Sequence, residues 1–588
     1  MKKFMYNVKK VASLAISIAP LLIGLDILFI MCSSILSVWS VKVSALFYSK
    51  SIENVKNNTF DGIIPVFISF VIIYIAVEII SALIDFVDFR IEKKFVNSLS
   101  EKFHIKVSKF NAIRFEDSNF LEKLQRAEGG IYSMDYYFFN LVGLVIKDIP
   151  YLMFLSVYLF TMRPVLCIIP FVIFIPIIGN QFLNMIEKKK INDDTIYINR
   201  KVGHYEDILC GETYVKDTRC FGIFGHFYKL HLDLFKELQS KQWKMNVRMQ
   251  IYSTISKLLN LIGYYVVLWL LFDSVVLGYI NVGEFAAVFA YIGKINSVLD
   301  NIVTNRFSTL LSFKYNGINY FVDLLDEEEE NWGKTNCECI SSIVMQNVSF
   351  VYPGSVSKAI NDININIKRG EIIAIVGENG SGKTTLSKLL LGLYHPSNGK
   401  ILYNGFEANA YTSTSFYKNS SAIFQNYYKY LFSLKENITI SDLSIDQDIK
   451  KMENSIYMAG FNYNNERFSN GYDTILSKKF GGTELSGGEW QRLAIARGFY
   501  RDSNMIVLDE PTAAIDPIEE ARVYNSFREI CRGKTAIMIT HRLGAVKLAH
   551  RILFMKNGKI VEDGTHEELL KRGGEYAELY RLQSQWYQ

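Results

Sequence analysis

Eight consecutive residues, Gly377, Glu378, Asn379, Gly380, Ser381, Gly382, Lys383 and Thr384, keep the spacing G-x-x-x-x-G-K-[ST]. The apolar run EIIAIV precedes them, and TTLSKLLLGL, opening on Thr384 and Thr385, follows. The expected setting is therefore strand, loop, helix. Glycines let backbone N–H groups wrap phosphate oxygens, and the N-terminus of the following helix adds the positive end of its dipole. Lys383 brings a point charge to the β and γ phosphates, and Thr384 offers a hydroxyl to Mg²⁺. A second element, Met505-Ile-Val-Leu-Asp509-Glu510, reads as a buried strand with two carboxylates at its C-terminal end. Ligands of open α/β sheets bind at such ends. Asp509 suits Mg²⁺, through water, and Glu510 suits polarising an attacking water. The expected chemistry is hydrolysis of a nucleoside triphosphate, ATP or GTP.

A third run, Leu485-Ser486-Gly487-Gly488-Glu489-Trp490-Gln491-Arg492, stands shortly before the two carboxylates. Ser486-Gly487-Gly488 opening a helix is a second anion site, and a second phosphate-binding element calls for a second nucleotide. This run resembles the signature of the ATP-binding-cassette (ABC) family, and its position matches the family's order. In that family each ATP lies between the phosphate loop of one cassette and the signature of another. Further motifs match in sequence. Tyr352, in SFVYPG, resembles the aromatic that stacks on adenine. Gln425, in AIFQN, resembles the glutamine that reaches Mg²⁺ and contacts the membrane domain. Ala514-Ile515-Asp516 resembles the loop joining two cassettes, and His541, in MITHR, the histidine near the γ-phosphate. The resemblance implies ATP and Mg²⁺ as cofactors, with Thr384, Gln425 and Asp509 at the metal and Glu510, His541 and Lys383 in catalysis. One residue departs from the pattern: Glu489 stands where the signature most often has glutamine. It follows the phosphate-touching Ser-Gly-Gly, so activity should survive while dimer contacts change.

Elements of two unlike kinds must position these residues. Apolar runs dominate as far as about residue 312 and then stop. A membrane span needs about 20 mostly apolar residues. Six runs qualify: 11–43, 63–86, 137–162, 164–186, 251–276 and 285–311. The first is long enough for an interfacial helix and then a span, with Pro20 near the join, and it is too long for a signal peptide. The connections 88–136 and 187–247 are rich in lysine and arginine, whereas the other three carry only Lys50, Lys56 and Arg163. The positive-inside rule places both basic connections, both termini and the cassette in the cytoplasm. The two connections are too long to be structureless. They read as polar continuations of the spans, each with a short central piece, around 115–124 and 203–211. The acidic run LLDEEEENWGK marks a linker. The expected layout is an all-α transmembrane domain (1–325), a linker (326–340) and an α/β cassette (341–588).

Composition agrees. Of 588 residues, 49% are hydrophobic and 21% charged, with a mean hydropathy of +0.12, which excludes a disordered chain. A net charge of +5 is too mild to argue for nucleic acid. Seven cysteines make no disulfide framework and read as free thiols in a reducing compartment.

Six spans followed by one cassette resemble an ABC exporter half-transporter, and the resemblance covers the whole chain. It implies a dimer, homodimeric or heterodimeric, in a plasma membrane, with the two central pieces acting as coupling helices. Ionisable residues within or beside the spans, Asp26, Glu78, Asp85, Lys147, Asp148, Lys257 and Lys294, are costly in lipid and are candidates for substrate contact or for structural pairing. Tyr74, Tyr151, Tyr158, Tyr264, Tyr265 and Trp269 are candidates for lining a cavity or for plain packing. Mixed charge with aromatics suits a peptide cargo. The stretch GTELSGGEWQR is also similar to bacterial exporters of lantibiotic or other bacteriocin-type peptides. A first span beginning near residue 11 leaves no room for a leader-peptidase domain ahead of it. A lipid or multidrug exporter, and an ATP-gated channel or regulator, remain the alternatives.

Overall fold

The computed structural model describes residues 2–58, 60, 62–307, 317–444, 448–463, 466–510, 517–540 and 546–585. Contacts divide the chain into two compact units: Met1–Val107 with Glu122–Glu327, and Ser108–Leu121 with Glu328–Gln588.

The N-terminal part of the chain is helical. The first helix, α1 (Lys2–Ile18), stops at Ala19, and Pro20 begins α2 (Pro20–Asn57). Proline is suited to that first position, since the missing N–H has no partner there anyway. Then come α3 (Ile63–Ser108) and α4 (Ser118–Val142), which runs through a π-helical turn (Gly143–Asp148) into α5 (Ile149–Met162). The rest are α6 (Ile169–Cys210), α7 (Val215–Cys220), α8 (Phe224–Val276), α9 (Val282–Asn301) and α10 (Ile318–Asp326). With 53 residues, α8 is about 80 Å long, against about 30 Å of hydrocarbon in a bilayer. Its polar half must run on into water, as the mixed-charge connections anticipate.

Among the described residues four helices are long and apolar enough to cross a membrane: Pro20–Asn57, Ile63–Ser108, Ser118–Met162 and Phe224–Val276. The other two expected runs are helical but fall outside that set. Residues 164–186 form a 3₁₀ turn (Pro164–Ile168) and the start of α6, while 285–311 form most of α9 and a second π-helical turn (Ile302–Phe307). Residues 308–311 lie outside the described residues.

The expected central pieces need correction. Residues 203–210 are the end of α6, not a separate helix; one glycine costs a helix about 1 kcal/mol, so Gly203 does not stop it. The helix ends at Gly211, whose N–H reaches Asp207 O at 2.7 Å, and the short helix of this connection is α7. In the first connection the piece starts earlier than 115, as a 3₁₀ turn (Ala112–Glu116) in which Asn111 Oδ1 accepts from the Ile113 N–H at 3.0 Å.

The helical unit has its own core. Tyr151, Leu155 and Leu159 of α5 pack with Val267 and Leu271 of α8 and Val288 and Tyr291 of α9. Among the ion pairs of this unit are Arg306 Nε to Asp148 Oδ2 at 3.2 Å and Arg163 Nη1 to Asp273 Oδ2 at 2.7 Å.

The cassette carries two sheets. An antiparallel one has the order β2-β1-β4-β5, with β1 Ser342–Val351, β2 Lys358–Lys368, β4 Asn398–Tyr403 and β5 Phe406–Glu407. A six-stranded one has the order β10-β9-β3-β8-β7-β6 and is parallel except for the β10 edge. Its strands are β3 Ile372–Gly377, β6 Ser420–Ile423, β7 Met505–Asp509, β8 Thr535–Ile539, β9 Arg551–Lys556 and β10 Lys559–Gly564. Every residue of β7 and β8 is buried, which is why both read as unbroken apolar runs, as parallel strands covered on both faces must. By contrast β2, with the alternating sequence NDININIK, buries every second residue. Ala112 and Ile113 of the first connection pack against the core of this unit.

Candidate functional site

The phosphate loop leaves β3 and enters the helix Lys383–Leu390, so strand, loop and helix follow in the anticipated order. Gly377 sits at φ +155° and Gly382, the residue before the helix, at φ +100°. A Cβ would lie 2.2 Å from Met555 O at the first and 2.6 Å from Ala359 O at the second. Only glycine lets the chain turn this tightly against its neighbours. Ser381 Oγ is buried and meets no hydrogen-bond partner among the described residues, an orphan that a phosphate oxygen would satisfy. Lys383 Nζ is held between the carbonyls of Gly377 (2.9 Å) and Glu378 (2.8 Å). Burial presses its pKa below the usual lysine value, and Glu510 and Asp509 work in the opposite direction.

Two contacts reach the start of the Lys383–Leu390 helix, and two more fix Glu510, which lines the same cavity. Thr384 Oγ1 donates to Asp509 Oδ1 at 3.4 Å. Asp509 ends β7 and is almost fully buried, and burial raises its carboxyl above the ordinary value against the Thr384 bond, which lowers it. Gln425 Nε2 donates to Glu510 Oε2 at 2.8 Å. Glu510 has φ +47°, a left-handed backbone that costs a non-glycine residue roughly 1–2 kcal/mol; its N–H is pinned to Ile539 O of β8 at 3.0 Å. Tyr352 Oη shares a hydrogen bond with Thr385 Oγ1 at 3.0 Å.

Together Tyr352, Gly377, Glu378, Asn379, Gly380, Gly382, Lys383, Thr384, Thr385, Gln425 and Glu510 line a cavity of about 750 Å³. Ala359 and Leu579 line it too; neither has a chemical signature that a sequence reading could pick out. The oxygen donors Thr384 and Asp509, hard ligands brought to one spot, fit Mg²⁺. Asp516 and His541 lie outside the described residues.

Ser486, Gly487 and Gly488 are not among the residues lining this cavity. Ser486 caps the helix Gly487–Tyr500 in a capping box: its hydroxyl accepts from the Glu489 N–H at 3.3 Å, and Glu489 Oε2 accepts from the Ser486 N–H at 2.7 Å. Trp490 is buried behind it. The second Glu489 oxygen accepts from Arg467, a partner that its sequence distance concealed. The same holds for Glu116 in the 3₁₀ turn. It accepts from Tyr394 Oη at 2.5 Å and from Lys388 Nζ at 3.2 Å, and Lys388 belongs to the phosphate-loop helix.

The candidate residues of the helical unit are scattered. Asp26 is buried, and Asp148 is paired with Arg306, which also reaches Phe139 O and Asn140 Oδ1. Tyr74, Tyr291 and Ser40 share hydrogen bonds of 3.0 and 2.9 Å around the Tyr291 hydroxyl. Tyr151 is buried, whereas Tyr265 and Trp269 face outward. Glu78, Asp85, Lys147 and Lys257 are exposed. The side chain of Lys294 lies outside the described residues.

The model of the family described as "ABC transporter" matches residues 360–513. The subtilin transport ATP-binding protein SpaT of Bacillus subtilis is 30% identical over 519 residues, 87% of this chain and 83% of that one. The nisin transport ATP-binding protein NisT of Lactococcus lactis is 27% identical over 532 residues, 87% of each. A solved bacterial Atm1-family ABC exporter with ATP bound superposes with a TM-score of 0.72 at 19% identity, covering 96% of this chain and 99% of that one. That likeness is one of fold.

Proposed function

Because this chain belongs to the ABC transporter family, a multi-pass membrane protein whose cassette binds ATP, we propose that it is an ATP-driven exporter of a peptide, built as a dimer of identical half-transporters in the cell membrane. One observation carries the dimeric mechanism. The sequence has one phosphate loop, and among the described residues Ser486, Gly487 and Gly488 do not line its cavity. A second cassette has to bring its signature to that cavity to close on the nucleotide. The layout is a six-span domain (1–325), a linker (326–340) and a cassette (341–588), with both termini cytoplasmic as the basic connections require.

Thr384, Asp509 and Gln425 hold Mg²⁺ in this reading; when bound, the ion neutralises charge on the β and γ phosphates. Lys383 supports the developing negative charge, together with His541. Glu510 orients the attacking water and takes its proton. Its contact with Gln425 keeps the carboxylate aimed, and Tyr352 offers its ring to adenine. Closure of two cassettes on ATP favours one conformation of the helical domain, and hydrolysis returns the other. Peptide cargo rests on two relatives whose names specify subtilin and nisin transport, each matching 87% of the chain.

The test is ATP hydrolysis by the purified chain in lipid nanodiscs. Glu510→Gln should still bind ATP and lose hydrolysis by about 10²-fold or more; activity within about threefold of wild type would end the assigned role. Stimulation of the wild type by a cationic bacteriocin-type peptide, absent with lipid alone, supports the peptide reading. Stimulation by lipid alone would replace it with lipid export.

A further inference from the structure

The first turn of the signature helix carries a negative charge of its own. Glu489 is its third residue, and its side chain folds back to the Ser486 N–H at 2.7 Å. Partial burial pushes its carboxyl up, but the Ser486 N–H and Arg467 more than offset this and hold it below the ordinary glutamate value. The group is therefore a carboxylate throughout the neutral range. An anion at a helix N-terminus is stabilising for the helix. It is unfavourable for a helix that must also attract a triphosphate, because two anions repel and both draw on the same N–H groups. Arg467, in the turn Glu466–Phe468, answers this charge. Its guanidinium pairs with the free Glu489 oxygen and stands 5.9 Å from the Phe468 ring centroid.

We propose that Arg467 is a positioning residue for nucleotide capture. It neutralises Glu489 and anchors it against the capping box, so that the signature remains attractive to the triphosphate on a second cassette. The inference rests on the composite nucleotide site proposed above. Arg467 touches no reacting atom; it acts through Glu489 on the electrostatics of the loop. The departure of the signature from its usual glutamine is thus half of a charge pair whose other half lies 22 residues earlier.

The experiment measures KM for ATP and kcat of the full-length protein in nanodiscs. Arg467→Gln leaves Glu489 uncompensated, and KM should rise about fivefold with kcat within about twofold, the scale of one screened charge near a polyphosphate. Arg467→Lys keeps the charge and should keep KM within about twofold of wild type. Arg467→Gln/Glu489→Gln removes both charges and should bring KM back to within about twofold. Glu489→Gln alone should lower KM. Raised salt should shrink the Arg467→Gln effect. Partial misfolding of Arg467→Gln lowers kcat per mole and not KM, so the split separates it from the expected result. Equal KM values for Arg467→Gln and the double variant, or an unchanged KM in Arg467→Gln, would overturn the proposal. A further variant, Gly487→Asp, separates this from failure of the composite site. A Cβ at Gly487 meets nothing within 4 Å, so the change adds charge without a clash. If Gly487→Asp loses hydrolysis while Arg467→Gln is silent, only the role of Arg467 falls. If Gly487→Asp hydrolyses ATP as wild type does, the signature is no part of the site and both readings fall.

Discussion

In the cassette, Leu493, Ile506 and Val507 turn into a core and are essentially inaccessible to solvent. Along α8, residues of the same apolar kind turn outward: Leu258, Ile262, Trp269 and Phe272 are each more than half exposed. Charge divides less cleanly, since Glu78, Asp85, Lys147 and Lys257 of the helical unit are exposed. Arg467, Glu489 and Glu116 keep partly wet ion pairs on the cassette, while Asp148 is withdrawn almost completely from the surface of the helical unit with Arg306 against it. The two units are built for different surroundings. A surface of leucine and tryptophan is stable against hydrocarbon, and a charge exposed there is not. The same chain therefore obeys two hydrophobic codes, and each can be tested against the other.

The largest expected effect lies in the cassette. Lys383→Ala removes the one cation held inside the phosphate loop and should cut ATP hydrolysis by about 10³-fold, measured as turnover in nanodiscs. The fold should remain, because the carbonyls of Gly377 and Glu378 become accessible to water. Next comes the buried pair of the helical unit. Arg306→Ala leaves Asp148 uncompensated and should cost about 3–5 kcal/mol in denaturant unfolding in detergent, whereas Arg306→Met/Asp148→Leu should recover most of the loss. A cost below about 1 kcal/mol for Arg306→Ala would show that water reaches the pair. Third, Leu493→Ala in the cassette core should cost about 2–5 kcal/mol, and Leu258→Ala on α8 under about 0.5 kcal/mol in the same assay. Equal costs would erase the contrast between the two codes.

The smallest effect concerns Glu116. The Tyr394 hydroxyl, and after it Lys388, hold its carboxyl below the ordinary value of 4.5 against partial burial. A lowered carboxylate contributes stability that is complete above its unfolded pKa and is lost as pH falls through its native one. The docking of the 3₁₀ turn on the cassette should therefore be constant at neutral pH and weaken below about 4.5. Glu116→Gln should remove this pH dependence at a cost under about 1 kcal/mol, read by hydrogen exchange over residues 108–121.

Legibility in the sequence tracked the range of the interactions. The phosphate loop, the β7 carboxylates and the helix opening at Ser486 are each made within a few residues, so spacing is enough to place them; the Ser486–Glu489 capping box is equally local and emerges only in the structure. The expected helix at 203–211 failed for the same reason in reverse. Gly203 and Gly211 look alike in sequence, yet only at Gly211 does the chain leave the helix, in a turn closed by the Tyr214 N–H on Gly211 O at 3.1 Å. In the sequence Arg163 stands as a lone cation in its short connection; in the fold it is paired with Asp273.

By itself, then, the sequence determined the two codes, the order of the motifs and the chemistry that each motif can perform, because these depend on residue type and local period. Only the tertiary structure decided that Gln425 holds Glu510, that Thr384 meets Asp509, that Tyr394 and Lys388 receive Glu116, and that Arg467 balances Glu489. These pairs lie 22 to 278 residues apart. A contact at such distance is selected by the packing of whole sheets and helices, and no local pattern of residues encodes it.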